Sequence, residues 1–234
     1  MMNRGKICVS IGGEDAAAVH DQLQPVLDLV DVVEIRLDSM ASPEVPQCCA
    51  LLQRPLLFTH RPIWEGGAFA GYEDDRLRPL FDAVDLQAAY VDLELRADPL
   101  LRKQLLAAMA TAPTRMILSW HDFTATPPAG DLADILEQMI GSGAHIGKIV
   151  TTAHGPADVL RLLQLQERAL AAGFPLSCFC MGEAGRISRL ATLYLGGYMT
   201  YGAVTEAQAT APGQLSVSRL HALCHNFEEG AGND

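Results

Sequence analysis

The chain has 234 residues, 49% of them apolar and 19% charged, which bounds it as one soluble globular domain with ample core material. Its formal charge of −11 argues against a nucleic-acid partner or an anionic membrane surface, since both attract clustered Lys and Arg. A small anionic ligand stays open, because a few arginines gathered in one pocket outweigh distant surface acids.

In chain order the strand-like runs are Lys6 to Ile11, Val32 to Leu37, Pro55 to Arg61, Tyr90 to Leu95, Arg115 to His121, Ile146 to Thr151, Pro175 to Met181 and Tyr198 to Val204. Between and after them the helical period predicts Ala16 to Leu29, Pro43 to Leu52, Asp74 to Ala88, Pro99 to Ala110, Asp131 to Ser142, Pro156 to Ala172, Gly185 to Tyr194 and Ser216 to Phe227. Asp131 reads as a helix cap, Gly173 and Gly196 as helix stops, and Pro43, Pro99 and Pro156 as first-turn residues. Strict strand–helix alternation argues for a parallel sheet, and eight units are the number that closes a (β/α)8 TIM barrel. One barrel over residues 1–227 is expected, with 228–234 as a frayed C-terminal tail. An open doubly wound sheet would want a glycine-rich phosphate turn after its first strand, and Ser10-Ile11-Gly12-Gly13 lacks that spacing.

No basic stretch followed by an apolar run and a small-residue cleavage site opens the chain, and no run is long enough to span a bilayer, so a cytoplasmic location is expected. The six cysteines form no CxxC pair and read as reduced packing residues. Two other patterns fail as sites. Gly141 to Lys148 has the wrong glycine spacing for a phosphate loop and precedes a strand, and His221 and His225 have Ala222 where a zinc helix carries its glutamate.

Polar residues late in barrel strands carry a functional prior, because chemistry in such barrels sits at the C-terminal strand ends. The two-residue period of strand two sets Glu34, Arg36 and Asp38 on one face and Val33, Ile35 and Leu37 on the other, so the charges should line the barrel mouth. Strand three ends in Thr59-His60-Arg61, Glu65 follows, and strand five ends in Ser119-Trp120-His121-Asp122. Lys148 lies mid-strand, where burial would lower an amine's pKa and leave a nucleophile toward ketones. Taken singly, a strand lysine is more often an edge or snorkelling residue, and Glu34 with Arg36 is as readily a structural ion pair.

Taken together, Glu34-Ile35-Arg36-Leu37-Asp38, Phe58-Thr59-His60-Arg61, Glu65-Gly66-Gly67, Ser119-Trp120-His121-Asp122-Phe123, Lys148-Ile149, Gly185-Arg186-Ile187-Ser188-Arg189 and Ala211-Pro212-Gly213-Gln214 resemble the type I 3-dehydroquinate dehydratases over nearly the whole chain. The resemblance implies a hydro-lyase of the shikimate pathway in which Lys148 forms a Schiff base with the substrate ketone. It makes His121 the general acid and base, and Glu65 the group that orients it. It also implies that Arg189 and Gln214 hold the substrate carboxylate, and that Ser10, Glu34, Arg36, Arg61 and Thr210 complete the substrate contacts. A homodimer, no cofactor and no metal go with it. Two departures stand out: Thr210 replaces a frequent lid serine, and the chain starts almost directly with strand one, without an N-terminal hairpin. The competing expectations are an imine-forming aldolase barrel and a catalytically silent barrel that binds a small acid.

Overall fold

A computed structural model describes residues 4–229. Eight parallel strands, β1 (Lys6–Ile11), β2 (Val32–Arg36), β3 (Leu56–Thr59), β4 (Tyr90–Glu94), β5 (Arg115–His121), β6 (Ile146–Thr152), β7 (Leu176–Met181) and β8 (Met199–Gly202), pair in the order β7-β6-β5-β4-β3-β2-β1-β8. The seam between β8 and β7 completes the ring. There the Tyr198 N–H donates to the Leu176 carbonyl at 2.8 Å, and the Ser177 hydroxyl accepts from the Met199 N–H at 3.1 Å in place of a ladder bond. Each strand is followed by a helix: α1 (Ala16–Leu23), α2 (Val45–Leu51), α3 (Glu73–Asp85), α4 (Pro99–Ala108), α5 (Ala129–Gly141), α6 (Pro156–Ala171), α7 (Arg186–Tyr194) and α8 (Val217–Glu229). The structure is therefore the (β/α)8 barrel that the alternation predicts.

Where the helix bounds differ from expectation, local chemistry explains it. Helix α1 stops at Leu23 because Pro25 cannot donate a backbone hydrogen bond, and Leu27–Leu29 form a separate 3-10 turn. Pro46, not Pro43, occupies the first turn of α2. Asp131 is not the cap of α5: Pro128 holds that position, and Asp131 lies in the first turn, where its charge faces the positive end of the helix dipole. Gly173 and Gly196 take the left-handed conformation at the ends of α6 and α7, as expected of helix stops. Glu228 and Glu229 belong to α8 rather than to a frayed tail, and residues 230–234 lie outside those described.

The barrel wall separates two cores. Outward side chains such as Ile35, Leu37, Leu118, Ile149, Cys178 and Cys180 pack against the inner faces of the helices, for example Leu80 and Leu162. Inward side chains form an apolar plug from Cys8, Val32, Leu57, Tyr90, Ile117, Ile146 and Met199. Above the plug the interior turns polar, and the ion-paired layer there is the floor of the functional site. All six cysteines are free, as their packing role predicts. Among the described residues no helix is long and apolar enough to cross a membrane, and no cluster of His, Cys, Asp and Glu could hold a metal ion.

Candidate active site

The ten residues singled out in the sequence, Ser10, Glu34, Arg36, Arg61, Glu65, His121, Lys148, Arg189, Thr210 and Gln214, all line one cavity of about 540 Å³ at the C-terminal mouth of the barrel. They come from seven of the eight strands or the segments that follow them, which is how a closed parallel barrel converges side chains that are distant in sequence. Strand β4, the one missing from that set, supplies the two carboxylates that organise its floor.

Lys148 is 5% exposed and projects inward from the middle of β6. Its Nζ stands 3.4 Å from both Glu34 Oε1 and Asp92 Oδ2, and 3.9 Å from the ring centroid of Tyr201. Two carboxylates thus flank the lysine and compensate its charge. Burial alone would raise the Glu34 carboxyl, but the positive charges of Lys148 and Arg36 more than offset it and hold the group below the usual range. Asp92 is likewise held low despite burial, by Arg61 and Lys148 and by hydrogen bonds from Ser119 and Arg61. Arg36 does not pair with Glu34 as the sequence allowed. Its guanidinium makes a bidentate pair with Asp38 at 2.9 and 2.6 Å, while Glu34 accepts from the Thr59 hydroxyl at 2.9 Å.

Arg61 reaches across the floor to Glu94 (2.6 Å), Asp92 (2.8 Å) and the Ser119 hydroxyl (2.7 Å). Glu94 also meets the wholly buried Arg76 at 2.7 Å. The guanidinium of Arg61 is therefore largely engaged within the protein, and its first effect on the site is to fix the carboxylates that flank Lys148. Reading period two along Tyr90-Val91-Asp92-Leu93-Glu94 would have found Asp92 and Glu94, by the rule that found Glu34 and Arg36.

His121 closes β5 with its ring turned to Glu65. Glu65 Oε1 accepts from both the His121 backbone N–H and the ring Nδ1, each at 3.0 Å. A carboxyl oxygen already engaged by a backbone donor selects the tautomer with the proton on Nδ1, leaving Nε2 as the basic nitrogen. Glu65 is placed by a tight turn, Ile63–Glu65, that Gly66 ends in the left-handed conformation at φ 77°. A side chain at Gly66 would also collide with the Phe123 ring, which stacks on His121 at 5.9 Å. Burial pushes the Glu65 carboxyl up to about 8, with Glu94 and Asp92 adding to the rise and Arg61 and Arg96 opposing it. Burial, together with the charges of Arg61, Lys148, Arg36 and Arg96, presses His121 well below its ordinary 6.5. The imidazole is therefore neutral across the neutral range.

The Glu65 shift has a testable sign. Between the ordinary value of 4.5 and about 8 the unfolded chain has released the proton while the folded chain keeps it, so stability falls as pH rises through that window. Glu65→Gln removes this loss while keeping an oxygen for His121. We expect the variant to melt roughly 3–6 °C higher than wild type at pH 8, and no higher near pH 4, in calorimetric scans. Its kcat should fall about tenfold, because an amide, unlike the carboxyl group, cannot ionise to balance the imidazolium once His121 takes up a proton.

Arg189 enters from α7, whose N-terminal turn is braced by the Ser188 hydroxyl accepting from the Cys180 N–H. It is 1% exposed and lies over the Phe179 ring at 4.8 Å. Its NH1 donates to the Tyr201 carbonyl at 3.3 Å, whereas Nε and NH2 are buried without a hydrogen-bond partner. Burial pulls its pKa down to about 10. Two orphaned donors on one guanidinium edge define a cradle for a planar anion. Beside it the β8–α8 loop folds over the mouth, with the Thr210 N–H and hydroxyl donating to Gln214 Oε1 at 2.7 and 3.1 Å. The loop is latched where the Gly182 N–H donates to the Pro212 carbonyl at 3.2 Å and Gly213, at φ 74°, packs on the Gly182 backbone. The Thr210 hydroxyl is therefore held in a defined hydrogen bond.

A buried lysine, a histidine oriented by a carboxyl group and an unsatisfied arginine, gathered at the catalytic end of a (β/α)8 barrel, define a barrel enzyme acting on a small anion. Comparisons with known proteins specify which. The family model for type I 3-dehydroquinase matches residues 7–230. The chain is 45% identical over 224 residues to a 3-dehydroquinate dehydratase of Desulfotalea psychrophila, covering 95% of this chain and 98% of that one. The fold matches the type I 3-dehydroquinate dehydratase of Clostridium difficile, solved with covalently modified comenic acid, with a TM-score of 0.85, 26% identity and coverage of 96% and 94% of the two chains. It also matches the 3-dehydroquinate dehydratase of Geobacillus kaustophilus with a TM-score of 0.84 and 26% identity, covering 96% of this chain and 91% of that one. The chain belongs to the type I 3-dehydroquinase family.

Proposed function

We propose that this hydro-lyase converts 3-dehydroquinate to 3-dehydroshikimate through an imine on Lys148, with His121 moving the protons. The observation that carries this reading is the pair of buried, unpartnered nitrogens of Arg189 in the same cavity as Lys148 and His121: it gives a carboxylate a place to sit while the ketone faces the amine. Nζ adds to the C3 carbonyl and the carbinolamine loses water, giving an iminium whose positive charge Glu34 and Asp92 stabilise. His121 Nε2 removes a proton from C2, and the electron pair enters the enamine. The C1 hydroxyl then leaves with the proton that His121 returns to it, forming the C1–C2 double bond. Hydrolysis of the iminium consumes the water released in its formation, so the net products are 3-dehydroshikimate and one water.

Here Arg36 and Ser10 are the side chains facing the ring hydroxyls, and the loop carrying Thr210 and Gln214 excludes bulk water. Intact-mass and peptide mapping after incubation with 3-dehydroquinate and borohydride tests the reading, since hydride adds to the iminium carbon and fixes the adduct as a secondary amine. A ligand-sized adduct on Lys148 is expected. A folded protein that turns over substrate without one would overturn the imine.

A further inference from the structure

The polar floor and its carboxylates are absorbed by the chemistry above, but two aromatic side chains in the cavity wall are not. Phe179 of β7 and Tyr201 of β8 both point into the barrel, with ring centroids 5.8 Å apart and a tilt of 42°. Each carries one cation of the site on its face: Lys148 Nζ lies 3.9 Å from the Tyr201 centroid, and Arg189 Cζ lies 4.8 Å from that of Phe179. The Arg189 guanidinium also donates to the Tyr201 carbonyl, tying the second cation to the strand that bears the first ring. The Tyr201 hydroxyl is buried and has no hydrogen-bond partner, so nothing in the structure uses the polar end of this residue.

We infer that Phe179 and Tyr201 form an aromatic floor that fixes the spacing between the imine-forming nitrogen and the carboxylate-binding guanidinium, Tyr201 as positioning residue for Lys148 and Phe179 for Arg189. The inference rests on the imine reading and assigns the substrate's span to these two rings. Lysine has four rotatable side-chain bonds, and in a polar cavity its ammonium could swing among several carboxylates. An aromatic face adds an attraction with a defined direction, and a desolvated one is strong enough to select one rotamer. The charge is present in both the ammonium and the iminium, so the ring holds the nitrogen before and after bond formation. Phe179 does the same for a guanidinium whose own hydrogen bonds leave two nitrogens open. Because the two rings touch, the distance between nucleophile and anion clamp is set by a rigid contact rather than by two flexible side chains.

The test separates ring from hydroxyl and one cation from the other. Tyr201→Phe keeps the face and discards a buried unpaired hydroxyl, so kcat and KM should stay within about twofold of wild type and the melting temperature should not fall. Tyr201→Leu removes the face: the rate of borohydride trapping at saturating 3-dehydroquinate and kcat should fall together by about tenfold, with little change in KM. Phe179→Leu should raise KM about tenfold and leave the saturated trapping rate near wild type. If Tyr201→Leu does not fold, Tyr201→Met supplies the same volume without an aromatic face and is expected to show the same loss. Wild-type trapping rates in a folded Leu or Met variant, or equal losses in Tyr201→Phe and Tyr201→Leu, would overturn the aromatic floor. Failure of the wild-type protein to form any Lys148 adduct would instead overturn the imine on which it rests, so the two failures are distinguishable.

Discussion

Lys148→Met should abolish turnover of 3-dehydroquinate, with a loss of at least about 10⁴-fold in kcat, and should yield no borohydride adduct on any residue. Methionine keeps most of the side-chain stem, so the result reports on the amine rather than on a cavity. The variant carries a second signature in its stability. Glu34 and Asp92 each stand 3.4 Å from Nζ and owe part of their depressed pKa values to it. A carboxylate with a depressed folded-state pKa stabilises the fold at pH values above its unfolded pKa, and that contribution is lost as pH falls through the folded value. Removing the lysine raises both groups, so the variant should be less stable than wild type at pH 7, with the gap closing as pH falls below the ordinary carboxylate range. Denaturant titrations at both pH values would show it. A gap independent of pH would mean that the lysine is not the counter-charge these carboxylates face.

That dependence of one charge on others marks the boundary of what the sequence discloses. The alternation of strands and helices, the number of strands and the inward face of Glu34, Arg36 and Asp38 follow from residue periodicity, because inside and outside alternate along a strand whatever its neighbours are. Local rules misplace only details such as the cap of α5, where Pro128 occupies the position and Asp131 lies inside the first turn. Pairing across the barrel is another matter. Arg61 reads as a ligand contact, yet its guanidinium is bound to Asp92, Glu94 and Ser119, which lie 31, 33 and 58 residues away in the chain. No spacing rule specifies which carboxylate an arginine meets when the partners sit on different strands. The Lys148 environment was illegible for the same reason: burial could be inferred from strand position, whereas compensation by Glu34 and Asp92 depends on three strands closing into one ring. Asp92 and Glu94 themselves were within reach of the period-two rule. Tyr201 shows the converse, since an aromatic residue in a barrel strand reads as core until its face is seen beneath an ammonium.

His121→Ala should separate the two halves of the reaction. Lys148 and its carboxylates are untouched, so the imine of the proposed mechanism should still form, while loss of the base should lower kcat by about 10²- to 10⁴-fold. The borohydride adduct then acquires diagnostic value. In wild type the trapped species should include the dehydrated product, whereas in the variant the substrate imine should accumulate, and the adduct on Lys148 should be one water heavier. The pH profile supplies an independent reading. His121 is held well below 6.5, chiefly by burial and then by Arg61 and Lys148, so wild-type kcat/KM should stay level as pH falls through 6.5 and decline only at lower pH; in the variant that acid limb should vanish from the residual rate. The same depression has a stability consequence of fixed sign: below 6.5 the unfolded chain gains a proton on this histidine that the folded chain refuses, so wild type loses stability on acidification and His121→Ala loses less. An adduct with the mass of the dehydrated product in the variant, formed at the wild-type rate, would show that another group removes the C2 proton. Glu65, deprived of its partner and still buried beside the cavity, would then be the first candidate to examine.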